Sequence, residues 1–143
     1  MKVFDFTMPT HFYIGCGQVE QLKNIASQYG KKALLCAARG SMRQMGFLQR
    51  VEDLLKQSGV EVAVIEDVDP NPCDVDIDRQ VKYFREQGCD FTVGLGGGSS
   101  MDTAKAIAFM AAQPEEDSVR DYLAGVKKSD LAGMKKPYPV ICI

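Results

Sequence analysis

The stretch Gly94-Leu95-Gly96-Gly97-Gly98-Ser99-Ser100-Met101-Asp102-Thr103-Ala104-Lys105 decides the fold class of this protein. Its first residues end an apolar segment that begins at Phe91, which predicts a buried strand, and its last residues open a helical pattern that continues to Ala112. Glycine permits positive φ angles and lets a ligand approach the backbone without meeting a Cβ atom. The free amides and the dipole at the start of a helix favour a phosphate group. The stretch therefore predicts a phosphate-binding loop between a strand and a helix.

Two familiar nucleotide-binding motifs do not match the spacing of the glycine loop, whereas two structural alternatives do. A Walker A loop carries lysine directly after its last glycine, whereas Lys105 lies seven residues beyond Gly98. The standard dinucleotide fingerprint follows the first strand and has an acid at the end of the second, whereas this loop follows a late strand and Asp117 lies in a polar segment. Two structural alternatives stay open: Ser99 and Asp102 fit a variant of the capping box around a tight turn, and Lys105 pairs with Asp102 along the helix.

The remainder of the chain alternates short apolar segments with amphipathic helical patterns. The predicted strands cover residues 12–15, 33–36, 60–64, 91–95 and 139–143. The predicted helices cover residues 18–29, 47–57, 76–87, 99–112 and 117–123, with a polar connection over 124–136. This alternation is typical of a Rossmann-like α/β fold, in which a parallel sheet carries helices on both faces. Such sheets bind ligands beyond the carboxyl ends of their strands.

Composition and charge restrict the class of protein. A length of 143 residues suits one domain, and 45% hydrophobic with 25% charged residues is usual for a globular protein. The net charge of −2 argues against a nucleic-acid partner, and the longest apolar run, residues 106–112, is too short to cross a membrane. Five dispersed cysteines without a CxxC pair, and no apolar signal segment after Lys2, predict reduced thiols in the cytoplasm. Because chain ends usually lie at the surface, an end inside the last strand predicts that residues 1–143 are one domain truncated in that strand.

The glycine loop and three further segments together resemble one enzyme family. Residues 96–106 closely resemble the GGGSxxDxAKA signature of the iron-dependent (group III) alcohol dehydrogenases. Residues 9–17, 69–72 and 88–91 resemble that family's opening segment, its PNP loop and the GxD entry to the glycine-loop strand, in the same order. Two related families fit less well. Glycerol dehydrogenases typically have lysine in place of Ser99, and dehydroquinate synthases lack the Asp-Thr-Ala-Lys continuation.

The resemblance implies the amino-terminal, dinucleotide-binding domain of the dehydroquinate synthase-like fold. The full enzyme would transfer a hydride between a small primary alcohol or its aldehyde and NADP or NAD, and it would form a homo-oligomer, expected to be a dimer. Its Fe²⁺ (or Zn²⁺) would be held by a helical carboxyl-terminal domain that residues 1–143 do not contain, so no catalytic or metal-binding residue is expected here. The single histidine, His11, has no partners for a metal site. The alternative function is a nucleotide- or phosphate-binding module without redox chemistry, and a purely structural domain is a further possibility.

The same resemblance implies which residues contact the cofactor. Three residues of the glycine loop would hold the pyrophosphate, three others would lie close to the cofactor, and one would line the nucleotide pocket: these are Gly97, Gly98 and Ser99, then Ser100, Met101 and Asp102, then Asn71.

The segment after the first central strand suggests which dinucleotide is preferred. NAD-preferring members have an aspartate there that binds the ribose hydroxyls, whereas this chain has Ala38 followed by Arg39. Residues 40–43 resemble the second half of the GGGSIK segment of NADPH-using butanol dehydrogenases. An arginine binds phosphate through two charge-assisted hydrogen bonds, so we expect a preference for NADP(H) through Ser41 with Arg39 or Arg43. The alternative is that both arginines lie on a solvated loop without this role.

Overall fold

A computed structural model of the chain describes residues 7–123 and 133–143. Within these residues the strands form one parallel sheet in the order β2-β1-β3-β4. The strands are β1 (Lys32–Ala38), β2 (Glu61–Val68), β3 (Phe91–Leu95) and β4 (Val140–Cys142). The parallel α/β architecture predicted from the sequence is therefore confirmed.

Helices cover both faces of this sheet. They are α1 (Leu22–Ile25), α2 (Ser41–Gln44), α3 (Phe47–Gln57), α4 (Asp74–Glu86) and α5 (Gly98–Ala112). One apolar core contains buried residues of α1 and α3, and the other contains those of α4 and α5. Successive residues of β1 point into opposite cores, with Leu35 in the first and Leu34 and Cys36 in the second. Because both faces are covered, β3 is buried along its whole length.

Helix α5 packs directly on β3, and this contact fixes the position of the glycine loop. A Cβ atom at Gly94 would lie 2.9 Å from both the Met101 Cα and the Ser100 carbonyl oxygen, so a side chain has no room there. The Thr92 hydroxyl donates a 3.0 Å hydrogen bond to the Ala104 carbonyl in the middle of the helix.

The strand order creates a topological switch point between β1 and β3. The connection from β1 leads outward to β2, while the connection from β3 leads in the opposite direction to β4. Open α/β sheets bind ligands where the strand connections diverge in this way. Because Ala37 and Leu95 are register partners, the loops that follow β1 and β3 begin side by side.

Several local predictions need correction. The strand predicted over residues 12–15 is wrong: residues 7–14 have no regular structure, and Ile14 is 87% exposed because this segment pairs with no described strand. The helix predicted over 18–29 is instead a 3₁₀ turn at Gln18–Gln21, then α1, then a second 3₁₀ turn at Ala26–Gln28. Ile25, where α1 meets the second turn, has a φ of −114°.

Other boundaries differ more modestly. Strand β2 extends to Val68 rather than ending at residue 64, because Ile65 and Val68 are still buried in the second core. Helix α2 was absent from the prediction. The helix predicted over 117–123 is a 3₁₀ turn at Val119–Tyr122 with a capping box at Ser118, and most of the predicted 124–136 connection lies outside the described residues.

Candidate functional site

The fold requires glycine at the first position of the glycine loop. Gly96 has a φ of +122°, a value that side chains rarely adopt, and a Cβ there would lie 3.5 Å from Ser100 Oγ and 3.7 Å from Met42 Sδ. Its amide donates a 2.9 Å hydrogen bond to the Ile143 carbonyl, just beyond β4. This glycine is thus explained by the backbone of the chain itself.

The fold does not explain the next two glycines. Gly97 has φ −76° and ψ −176°, which is ordinary extended backbone, and Gly98 is the first residue of α5 without a positive φ. Apart from the adjoining backbone, no described atom lies within 4 Å of a Cβ built at either position, and both residues are exposed. Two adjacent residues therefore lack side chains beside open space at the carboxyl edge of the sheet.

The start of α5 directs free backbone amides and the positive end of the helix dipole toward this space. The Gly97 carbonyl accepts hydrogen bonds from the amides of Ser100 and Met101, so the amides of Gly98 and Ser99 come before the first amides that find an acceptor within the helix. No acidic side chain stands in the first turn, and no side chain caps the helix. Uncapped amides at the positive end of a helix form an anion-binding site.

Two buried hydroxyl groups lie behind the loop. Ser100 is 1% exposed, and neither its Oγ nor the Oγ1 of buried Thr103 has a hydrogen-bond partner among the described residues. A buried hydroxyl without a partner costs free energy, and the contacts among the described residues do not explain these two. Met101 is half-buried, and exposed Asp102 forms the expected i,i+3 pair with Lys105 at 3.1 Å.

The loop that follows β2 contacts the glycine loop. Asn71 adopts a left-handed backbone with φ 56°, a conformation that asparagine tolerates better than most residues. Its amide donates a 3.4 Å hydrogen bond to Ser99 Oγ. The structure thus brings Asn71 to Ser99, two residues that the sequence had proposed for the same pocket.

The residues predicted to contact the adenosine ribose or its 2′-phosphate lie at the end of β1 and just after it. Both arginines among them, Arg39 and Arg43, form ion pairs. Arg39 Nη2 lies 3.3 Å from Asp69 Oδ1. The Arg43 Nε donates a 2.7 Å hydrogen bond to Glu66 Oε2, and its Nη2 donates a second bond to Oε1. These bonds lower the pKa of the Glu66 carboxyl and raise that of the Arg43 guanidinium. Ala38 is half-buried and pairs with Val68 of β2, while Ser41 is exposed.

Glu66 and Asp69 are the residues that the sequence interpretation missed. It searched for an acid along β1 and its loop, whereas both carboxylates come from the end of β2 and the residue after it. Carboxyl ends of adjacent parallel strands share one edge of a sheet, so the run Glu66-Asp67-Val68-Asp69 was the available signal.

The described residues offer no metal site. Across residues 7–123 and 133–143, no group of three or more histidine, cysteine or acidic side chains is arranged to hold a metal ion. The His11 ring is stacked on Tyr13 with 4.6 Å between centroids. Nor is any helix in these ranges long and apolar enough to cross a membrane.

Comparison with known proteins places this geometry in a family. The family model described as "Iron-containing alcohol dehydrogenase" matches residues 9–143. The chain belongs to the iron-containing alcohol dehydrogenase family. The resemblance found in the loop motifs is therefore confirmed over almost the whole chain, and the family accounts for a parallel α/β fold with a glycine loop at its edge.

Individual relatives agree with this assignment. The chain is 39% identical to an NADPH-dependent butanol dehydrogenase of Clostridium saccharobutylicum over 118 residues, which are 81% of this chain and 30% of that protein. It is 37% identical to a probable NADH-dependent butanol dehydrogenase 2 of Bacillus subtilis over 108 residues, 76% of this chain and 28% of that protein. The chain thus matches about a third of the length of these relatives.

Solved structures of the family share the fold. An archaeal halo-thermophilic alcohol dehydrogenase from a Red Sea brine pool superimposes with a TM-score of 0.88 at 34% identity, covering 98% of this chain and 36% of that one. The NADH-dependent butanol dehydrogenase A of Thermotoga maritima gives 0.86 at 29% identity, covering 99% and 34%.

Proposed function

We propose that this chain is the nicotinamide-dinucleotide-binding part of a metal-dependent alcohol dehydrogenase, which interconverts a small primary alcohol and its aldehyde by hydride transfer. The observation that carries the proposal is the open space at Gly97 and Gly98, where neither backbone angle nor packing demands glycine. A ligand that touches the backbone supplies the missing reason.

The residues around this space suit a pyrophosphate. The amides of Gly98 and Ser99 would donate hydrogen bonds to its oxygens, in the field of a 15-residue helix, with Ser100 close behind them. The contact between Asn71 and Ser99 would close the pocket on the side of β2. Met101 and Asp102 would lie close to the bound cofactor, and the loop after β1 would face the adenosine ribose. The nicotinamide, when bound, supplies the hydride acceptor.

The described residues contain no group of side chains that fits a metal ion. We propose that Fe²⁺ or Zn²⁺ is bound by protein outside residues 7–123 and 133–143, in a helical domain that is not part of the 143-residue chain. The names of the relatives, which include butanol and methanol dehydrogenases, support an alcohol as substrate.

We propose that the whole protein is a cytoplasmic homodimer. The exposed apolar side chains of the opening segment, Phe12 and Ile14, support an apolar contact surface. The five free cysteines support a reducing compartment.

Calorimetric titration of the chain with NAD⁺ and NADP⁺ tests the cofactor proposal. The chain should bind dinucleotide, and Gly97→Val should raise the Kd by about a hundredfold, because the side chain fills the pyrophosphate space at a cost of about 1–3 kcal/mol. Gln57→Val provides the control: it adds the same side chain to an exposed position at the end of α3 and should leave binding unchanged. Helical content should be the same in all three proteins by circular dichroism. Unaltered binding by Gly97→Val would remove the basis for the proposal.

A further inference from the structure

The two arginines after β1 differ in how firmly the chain holds them. Arg43 is bound by Glu66 through two hydrogen bonds that use its Nε and Nη2 atoms. Arg39 meets Asp69 through one 3.3 Å contact, and the side chains are 70% and 53% exposed. Arg43 is thus engaged by a complete carboxylate, whereas Arg39 keeps most of its donors free.

This difference affects which arginine can bind a phosphate. Arginine binds phosphate in the same bidentate geometry that it uses for a carboxylate. The edge of Arg43 formed by Nε and Nη2 is already occupied by Glu66. Turning this edge toward a phosphate would leave the Glu66 carboxylate uncompensated beside a dianion, which is electrostatically unfavourable.

A further ion pair lies beside these two. Asp67 and Asp69 follow Glu66 along the same end of β2, and Arg79 is bound to Asp67 at 2.7 Å. Each of these three carboxylates has an arginine partner, so the cluster as a whole carries no net positive charge.

The cluster lies close to the proposed pyrophosphate site. Helix α2, which contains Arg43, reaches the glycine loop through Met42, whose Sδ would lie 3.7 Å from a Cβ at Gly96. On the opposite side of the glycine loop, β4 and the adjoining Ile143 consist of apolar or weakly polar residues, and the Ile143 carbonyl accepts a hydrogen bond from the Gly96 amide. The polar side toward β1 is therefore the one that suits an adenosine ribose.

Resting on the proposed dinucleotide function, we propose that Glu66 is a specificity-determining residue that holds Arg43 away from the 2′-phosphate of NADP(H). Recognition of this phosphate then rests on Arg39 and Ser41, and Glu66 shifts the balance toward NAD(H). Glu66 is a positioning residue, because it acts on the cofactor through Arg43.

The test is the ratio of the Kd values for NAD⁺ and NADP⁺, measured by calorimetry on the full chain. Glu66→Gln should improve NADP⁺ binding relative to NAD⁺ by about fivefold, the ratio that an exposed ion pair supports. Arg43→Ala added to that variant should abolish the gain. Glu61→Gln provides the matched control: it removes the same charge from the opposite end of β2, where Glu61 contacts Lys32 at 3.7 Å, and should leave the ratio unchanged.

The outcomes separate this inference from the function on which it rests. If the unmodified chain binds neither dinucleotide, the proposed function fails and the inference fails with it. If both dinucleotides bind and Glu66→Gln leaves the ratio unchanged or weakens NADP⁺, the inference is overturned while the proposed function stands. A comparison that keeps Glu66 intact adds a second test: Arg39→Ala should cost more NADP⁺ affinity than Arg43→Ala by roughly threefold, and the reverse order overturns the inference.

Discussion

Replacing Gly98 by alanine should stabilise the fold and weaken dinucleotide binding at the same time. Gly98 is the first residue of α5, its φ is not positive, and a Cβ there meets no described atom within 4 Å. A glycine-to-alanine change at such a position restricts the unfolded chain and raises the free energy of unfolding by about 0.4–1 kcal/mol. Nothing among the residues that the structure describes opposes this gain.

The bound state should respond in the opposite direction. The added methyl group would occupy the space assigned to the pyrophosphate, and crowding a packed contact costs about 1–3 kcal/mol. This cost corresponds to a Kd that is higher by about 5- to 150-fold. A single methyl group should therefore produce a more stable protein that binds its ligand less well.

Gly94→Ala is the matched control for this prediction. Its Cβ would lie 2.9 Å from the Met101 Cα and the Ser100 carbonyl, so it should lower the free energy of unfolding by about 1–3 kcal/mol. Urea denaturation and calorimetric titration on the same preparations give both quantities. The reasoning is refuted if Gly98→Ala binds dinucleotide as tightly as the unmodified chain, or if it destabilises the protein as much as Gly94→Ala.

Two further predictions concern the helices and the thiols. Arg85 of α4 donates hydrogen bonds to carbonyls at the end of α5, the shortest being 2.9 Å, so Arg85→Met should lower the free energy of unfolding by about 1–3 kcal/mol in urea denaturation. Lys82→Met, on the exposed face of α4, should change that free energy little, and equal effects of the two substitutions would contradict the capping role of Arg85. Burial raises the pKa of Cys36 and raises that of Cys89 to about 11, so their reactive thiolates form only well above neutral pH. Exposed Cys16 should therefore react with a thiol reagent at pH 8 long before these two, and early labelling of Cys36 in the native protein would contradict its burial.

The sequence was sufficient for the parts of the fold that depend on local pattern. The apolar segment at β1 and the segment ending in the glycine loop each have the composition of a strand covered on both faces, and both lie where they were predicted. The opening segment with Phe12 has a similar composition, yet it forms no strand, because a strand requires a neighbour and composition alone does not supply one.

The candidate site was predictable in its elements but not in its interactions. The motif identified the glycines, but three-dimensional packing was needed to distinguish Gly96, which the backbone requires, from Gly97, which it does not. The arginines were visible along the chain, whereas their ion pairs depend on the register of β1 against β2. Residues 28 apart, such as Asn71 and Ser99, meet only because two parallel strands end at the same edge.

The close packing of α5 on β3 also affects how much conformational entropy is lost when a ligand binds. With no room at Gly94 for even a methyl group, and with Thr92 bonded to the Ala104 carbonyl, the helix cannot slide along the strand. Its first amides therefore hold their spacing relative to the sheet before any ligand arrives. The conformational entropy of ordering this part of the site is lost during folding rather than during association, so each hydrogen bond to an incoming anion contributes more fully to affinity. The rigidity of the sheet is in this sense part of the recognition of the ligand.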